Sequence, residues 1–296
     1  MPRAVVWIWR LCAIHYALGA VTYFHFLATG SYRYLNWYFL IPGTLFFLLA
    51  AAAEFYFAFE CRAGFDSDEP MRLAWTFIAL ASMARFLAAV MISLDHWRVV
   101  SISGNGASVL GLALPKTFAQ IGEVIGGPVA MVLLAAALGR VLSIQRQFGI
   151  LRGLTRTDVL LIVLIVVVTI GEVSRIMRYL RPPYPHPSLA QTILWTSDPL
   201  LGLLLVQAVL IRRSASRVGL GLVSQCWGMY VIAILITLVG DASIWVVGES
   251  MLPERLVALT WYIWFFAAAA YATAPAYQLA AMKLPIAGKD VLRNRL

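Results

Sequence analysis

The sequence predicts an all-α, polytopic integral membrane protein of about eight transmembrane helices, and three observations carry that prediction. Of the 296 residues, 61% are apolar and only 12% charged, where a soluble domain carries roughly 25% charged. The apolar residues fall in runs of about 20, the length that crosses about 30 Å of hydrocarbon at 1.5 Å per residue. All ten tryptophans stand at or near the ends of these runs. Trp7, Trp9, Trp75 and Trp227 mark one set of ends; Trp37, Trp97, Trp195, Trp245, Trp261 and Trp264 mark the other. An indole ring prefers hydrocarbon while its N–H wants a polar partner, so tryptophans collect at headgroup level. Two aromatic belts are expected.

The eight spans read as residues 4–28, 36–59, 73–93, 118–142, 158–180, 192–211, 220–247 and 256–281. They make residues 1–296 a single transmembrane domain, because no connection is long enough to fold as a soluble domain. That argues against a sensor kinase or cyclase, which needs a separate output domain. The net charge of +9 follows topology. Most Lys and Arg residues lie before the first span, after the last, and in the connections after the second, fourth and sixth. By the positive-inside rule this sets both termini in the cytoplasm, N-in and C-in, in a plasma (inner) membrane. The basic excess then faces the lipid bilayer, and no nucleic-acid partner is expected, since only short loops could make one.

The first span begins with Arg3 and is interrupted by Arg10, so it reads as a retained helix and not a cleaved signal. It sets His15, Gly19, Thr22 and either His25 or Phe26 along one face. His15 lies near mid-bilayer, while His25 and His96 lie near the outer surface. Histidines on two helices can hold a haem, but His15 has no partner at its own depth, and the expectation is no cofactor. The three cysteines, Cys12, Cys61 and Cys226, have no paired spacing. No HExxH or HxxxH spacing occurs, so no metal site is read.

Spans two and three each bring one deep charge, Glu54 and Arg85. A charge in a span costs roughly 2.5–3.5 kcal/mol and needs a partner. Neighbouring hairpin helices pack together, so Glu54 and Arg85 are expected to form an inner ion pair. In span four, Lys116, Gln120, Glu123 and Gly127 follow steps of 4, 3 and 4 and share one helix face. In span five, Thr169, Glu172 and Arg175 are spaced by threes, which lets Glu172 pair with Arg175 on its own helix.

In span six, Ser197-Asp198-Pro199 reads as a helix start, with Asp198 at the N-cap and Pro199 at the first helical position. From there to Arg213 the helix falls short of a full crossing, so an offset piece must complete it. Broken helices of this kind build binding sites inside membranes; a simple proline kink is the alternative. Span seven stacks Thr237, Gly240 and Asp241 on one face, and Gly240 admits a close neighbour.

Each even-numbered span carries a proline: Pro42, Pro128, Pro199 and Pro275. Together with Leu114-Pro115 and Leu252-Pro253, they suggest a 4+4 parallel repeat with halves 1–145 and 146–296. The halves would be related by an axis along the membrane normal. Gly104-Asn105-Gly106 reads as a turn, and Pro182-Pro183-Tyr184-Pro185-His186-Pro187 as a stiff outer loop. No GxSxG nucleophile motif is present, and nothing points to an enzyme.

Two functions fit. In the first, Glu123, Asp198, Asp241, Gln120 and Lys116 line an outward-facing pocket for a small polar or cationic ligand or protons, as in a transporter or receptor. In the second, the same carboxylates are interhelical glue in a non-catalytic accessory subunit of a larger membrane complex. Convergence of the outer carboxylates on one cavity favours the first.

Overall fold

The computed structural model describes residues 1–99, 118–150, 155–179, 189–219, 221–249 and 254–284, and among them it is all-helical. Helix α1 is Arg3–Thr29, α2 is Arg33–Ala63 and α3 is Pro70–Val99. Helix α4 runs through Phe118–Val124, a π-helical turn Ile125–Val129, and Ala130–Gln147. Next come α5 (Arg156–Tyr179), a short α6a (Leu189–Trp195), α6b (Ser197–Arg217), α7 (Gly221–Glu249) and α8 (Glu254–Met282). Among the described residues, six helical stretches are long and apolar enough to cross a membrane: those of α1, α2, α3, α4, α6 and α7.

Local signals set the ends and bends. Helix α1 stops at Gly30, whose φ of 69° only glycine adopts freely; its N–H closes on the Phe26 carbonyl at 2.8 Å. Helix α5 opens with a reciprocal cap. Asp158 accepts from the Thr155 N–H (2.7 Å) and hydroxyl (3.0 Å), and the Thr155 hydroxyl caps the Asp158 N–H. Proline has no N–H to continue the helical ladder, and a π turn absorbs the defect at Pro42 (Phe39–Gly43) and again at Pro128. Thr44 donates its hydroxyl back to the Leu40 and Ile41 carbonyls in the first of these turns. Pro275, by contrast, sits in a continuous α8, and its carbonyl receives the Cys61 thiol.

Helices α2, α3, α4, α6b, α7 and α8 pack side by side in that order, and α8 returns to α2, closing a ring of six. Helix α1 lies outside the ring against α8, and α5 lies outside it against α6b. Small residues set the seams. Gly122 and Gly126 of α4, four apart, let α3 approach until a Cβ on Gly126 would stand 2.5 Å from that of Ala88. Gly202 of α6b does the same for Thr169 of α5, and Gly240 of α7 for Trp264 of α8.

The ring is filled differently at its two ends. At the end where α8 finishes and α7 begins, a continuous core of all six helices closes it, built on Trp75, Ile78, Leu134, Leu138, Leu204 and Trp227. Toward the other end the helices part around a cavity. On α1 the inward face is Cys12, His15, Gly19, Thr22 and Phe26, so Phe26 and not His25 continues the stripe. The His15 ring stacks on Phe46 (4.2 Å between centroids) and its Nε2 lies 2.7 Å from the Tyr38 hydroxyl.

Two expectations are corrected. Trp75 and Trp227 do not belong to a headgroup belt: they are 0% and 1% exposed and lie against each other inside the ring, 6.3 Å between centroids. Facing α3 and α7 seams need large apolar volume there, and an indole supplies it. Helix α6b starts one residue before Asp198, with Thr196 as the cap residue, so Pro199 is the third helical position and not the first. It also continues to Arg217 for 21 residues, about 31 Å, and therefore needs no offset piece to reach spanning length. The break remains, as a one-residue joint at Thr196 between α6a and α6b.

Candidate functional site

The cavity inside the ring has a volume of about 600 Å³, and each of the six ring helices contributes to its wall, with α6a adding Leu194 and Trp195. That is the size range of small-molecule sites, which run to roughly 300–1,000 Å³. Its wall is mainly apolar: Phe39, Phe47 and Ala51 from α2, Ala88 and Ile92 from α3, Met131 from α4, Phe265, Ala267 and Ala268 from α8. Into this wall are set four carboxylates and one guanidinium: Glu54, Glu123, Asp198, Asp241 and Arg85.

Glu54 and Arg85 form the floor. Arg85 donates its Nε–H to Glu54 Oε2 at 3.0 Å and its second nitrogen to Oε1, a two-pronged contact that matches the guanidinium fork to the carboxylate. The Ser82 hydroxyl donates to the same Glu54 Oε1 at 3.0 Å. The guanidinium also lies over the Tyr271 ring, 4.5 Å from its centroid. Tyr271 in turn meets Tyr230 edge-on, and Tyr230 packs on Trp227, so the floor passes directly into the sealed core. The Tyr230 hydroxyl is buried there without a hydrogen-bond partner among the described residues.

The other three carboxylates stand nearer the open end. Asp198 is buried in the first turn of α6b, where the N-terminal dipole favours a negative charge. Asp241 of α7 accepts the Trp264 indole N–H at 3.1 Å, a contact that depends on Gly240 leaving room for the indole. Glu123 is exposed at the rim and is repelled by Asp95 of α3. Trp195, Trp261 and Trp264 complete the wall at this level, with Trp261 meeting Trp264 edge-on at 5.3 Å. Measured along α8, Trp264 stands seven residues from Tyr271, so the upper carboxylate Asp241 lies about 10 Å above the floor pair.

The structure thus gathers Glu123, Asp198, Asp241, Glu54 and Arg85 around one cavity. Gln120 is exposed and stands off its wall. Lys116 and the Pro182–Pro187 segment lie outside the described residues, as do the side chains of Glu172, Arg175 and His96. Sequence reasoning overlooked Ser93 of α3, which lines the cavity, is 1% exposed and has a hydroxyl without a hydrogen-bond partner among the described residues. It also read Trp195, Trp261 and Trp264 only as lipid anchors. Among the described residues no three His, Cys, Asp or Glu side chains come together as a metal-holding group. Comparison with protein-family models, with curated proteins and with solved structures finds no match.

Proposed function

We propose that this chain is an eight-span protein of the plasma (inner) membrane, N-in and C-in, that binds a small polar or cationic ligand, or protons, in the central cavity from the outer side. This is transporter- or receptor-like work. The observation that carries the reading is the placement of Glu123, Asp198 and Asp241, from three different helices, on the wall of one cavity. Charges in a membrane helix are costly and face protein or water; carboxylates acting only as glue have no need to share a void. The packed core beneath the Glu54–Arg85 floor supports access from one end only, as expected of a carrier resting in one of its two orientations.

The ring also favours a 4+4 repeat with halves 1–145 and 146–296. In each half the first helix lies outside and the next three form half of the ring, and in each the second helix is interrupted, at Pro42 and at Thr196. An axis along the membrane normal would then pass through the cavity.

One observation favours the alternative, an accessory subunit bound to other membrane subunits. Helix α5 touches chiefly α6b and exposes Val163, Leu164, Val167 and Ile170, a surface that a partner helix covers as readily as lipid does.

The test is cysteine accessibility in intact cells, which the buried native Cys12, Cys61 and Cys226 leave free of background. Thr237→Cys and Ser197→Cys, in the cavity wall, should react with a membrane-impermeant maleimide added outside, and Ala137→Cys, in the sealed core, should not. Reaction from the cytoplasmic side alone would reverse the orientation. Silence at both wall positions would end the pocket reading and leave the accessory subunit in front.

A further inference from the structure

We infer that a notch at the sealed end of the ring binds one membrane phospholipid whose headgroup joins a phosphate to a primary ammonium. Arg72 and Arg140 hold the phosphate, Asp68 and Glu69 face the ammonium, and an acyl chain follows the outer seam of α3 and α4. The inference is independent of the central cavity and needs only that these helices cross a bilayer.

The notch has a volume of about 350 Å³, and its wall includes Asp68, Glu69, Arg72, Leu73, Thr76 and Arg140. It opens where α2 gives way to α3, beside the end of α8, since Gly64 abuts Met282 there. The ends of spanning helices stand in the polar layer, about 5–8 Å deep on each side of the hydrocarbon. Lipid phosphates lie at that depth.

Charge is divided between the inside of the notch and its lip. Arg72 and Arg140 are half-buried, and neither has an ion-pair partner among the described residues. A guanidinium drawn out of water normally carries a partner, and its planar fork matches two phosphate oxygens. Arg140 Nε is enclosed by protein, which leaves the two terminal nitrogens for that contact. Arg62, also half-buried, adds positive charge from behind. Its Nε–H donates to the Thr76 hydroxyl at 3.3 Å, and Thr76 donates on to the Arg72 carbonyl at 2.8 Å. The acids are outside. Asp68 and Glu69 are exposed, and Glu69 gives one oxygen to the Asp66 N–H at 3.2 Å. Carboxylates at the lip repel a headgroup with further negative charge and suit one that ends in a cation. A primary ammonium donates hydrogen bonds to them; a trimethylammonium has no N–H to give.

The surface beyond the notch separates a lipid from a soluble phosphate. Leu73, Leu80 and Leu87 are exposed and seven apart, so they run as a stripe along α3 away from the notch. On α4, Arg140 heads a second stripe with Ala136, Val132 and Val129, at steps of 4, 4 and 3, all three exposed. Helices α3 and α4 pack side by side, and Leu73 and Arg140 both line the notch, so the two apolar stripes start from it together. An acyl chain attached to the bound phosphate would lie along them.

The experiment is native mass spectrometry of the purified, delipidated full chain in a nonionic detergent. Phospholipids with identical acyl chains and ethanolamine, choline or glycerol headgroups are titrated separately. The first bound copy of the ethanolamine lipid should show an apparent Kd about tenfold below those of the other two, the difference expected of a charge-assisted hydrogen bond. Arg140→Gln should weaken binding of all three by about tenfold, with Arg72→Gln as a second variant should the first fail to fold. Asp68→Asn combined with Glu69→Gln should erase the headgroup preference and keep the phosphate contact. Arg217→Gln, at the same end but outside the notch, should change nothing. Inorganic phosphate and glycerophosphoethanolamine should not displace the lipid; displacement by either at equal concentration would give the notch to a soluble phosphate and overturn the lipid assignment. Equal affinity for the three headgroups in the unaltered chain, or undiminished binding in a folded arginine variant, would also overturn the proposal.

Discussion

Replacing Glu54 by Gln tests whether the cavity floor is held by charge. The pair is desolvated on one side: the side chain of Glu54 is 3% exposed and that of Arg85 15%. Removing one partner of a buried pair costs about 3–5 kcal/mol, mostly because the other charge is left without compensation. In Glu54→Gln the orphan is Arg85, which keeps the Tyr271 ring beneath it and some access to the cavity, so the lower figure, about 3 kcal/mol, applies. In Arg85→Met the orphan is the more deeply buried Glu54, left with the single hydrogen bond from Ser82, and the upper figure, about 5 kcal/mol, applies. The double variant removes both charges and should recover most of either loss, giving a coupling energy above about 2 kcal/mol. Reversible unfolding in mixed micelles, followed by helical circular dichroism, measures all three. If the two single losses simply add in the double variant, the pair contributes no net coupling and the account of the floor fails.

Two further outcomes follow from packing and capping. Gly126→Leu should force α3 and α4 apart, since even a Cβ there meets Ala88 at 2.5 Å; a loss of at least about 1–3 kcal/mol is expected, and an unchanged melting temperature would refute the seam. Asp158→Ala should remove both the Thr155 cap and the ion pair to Arg213 that ties α5 to α6b. A cost of about 1–2 kcal/mol is expected from the cap, together with faster hydrogen exchange over residues 155–160; unaltered exchange there would show that the cap carries no stability.

Much of this architecture can be read from residue order, and what cannot has physical causes. Helix positions are legible because apolar run length and bilayer thickness share one scale. The inward stripe of α1 follows from spacing through His15, Gly19 and Thr22, with the choice between His25 and Phe26 left to packing, and the crowding of Gly240 follows from its place beside Asp241. The tryptophans mislead because two environments meet the same amphipathic need. A headgroup layer and a cavity rim both offer an indole hydrocarbon on one side and a polar partner on the other, and only the path of α8 decides which one Trp264 meets. Trp75 and Trp227 show a third solution, full burial between helices. The start of α6b is hard to read because Asp198-Pro199 has the composition of a cap, while the helix begins after Thr196, whose hydroxyl turns back to the Ile193 carbonyl and caps nothing. The return of α8 to α2 leaves no local trace, since it depends on the whole circuit of helices. Gly122 and Gly126 did carry a readable sign of close packing, overshadowed by the polar stripe beside them.

Among the described residues, the interhelical ties made by a carboxylate share one property of sequence order. Glu54 of α2 meets Arg85 of α3, Asp158 of α5 meets Arg213 of α6b, and Asp241 of α7 meets Trp264 of α8, each a helix with its immediate successor, whereas the Tyr16 hydroxyl of α1 and the Cys61 thiol of α2 reach carbonyls of α8. Membrane chains are inserted from the N-terminus onward, and a lone charge is most costly while its helix stands by itself in lipid. Pairing with the next helix keeps that exposure to the interval between two neighbouring segments, so each hairpin can leave the insertion machinery with its charges already matched. The ring itself can close only when α8 arrives, and by then the Glu54–Arg85 and Asp158–Arg213 pairs are already made.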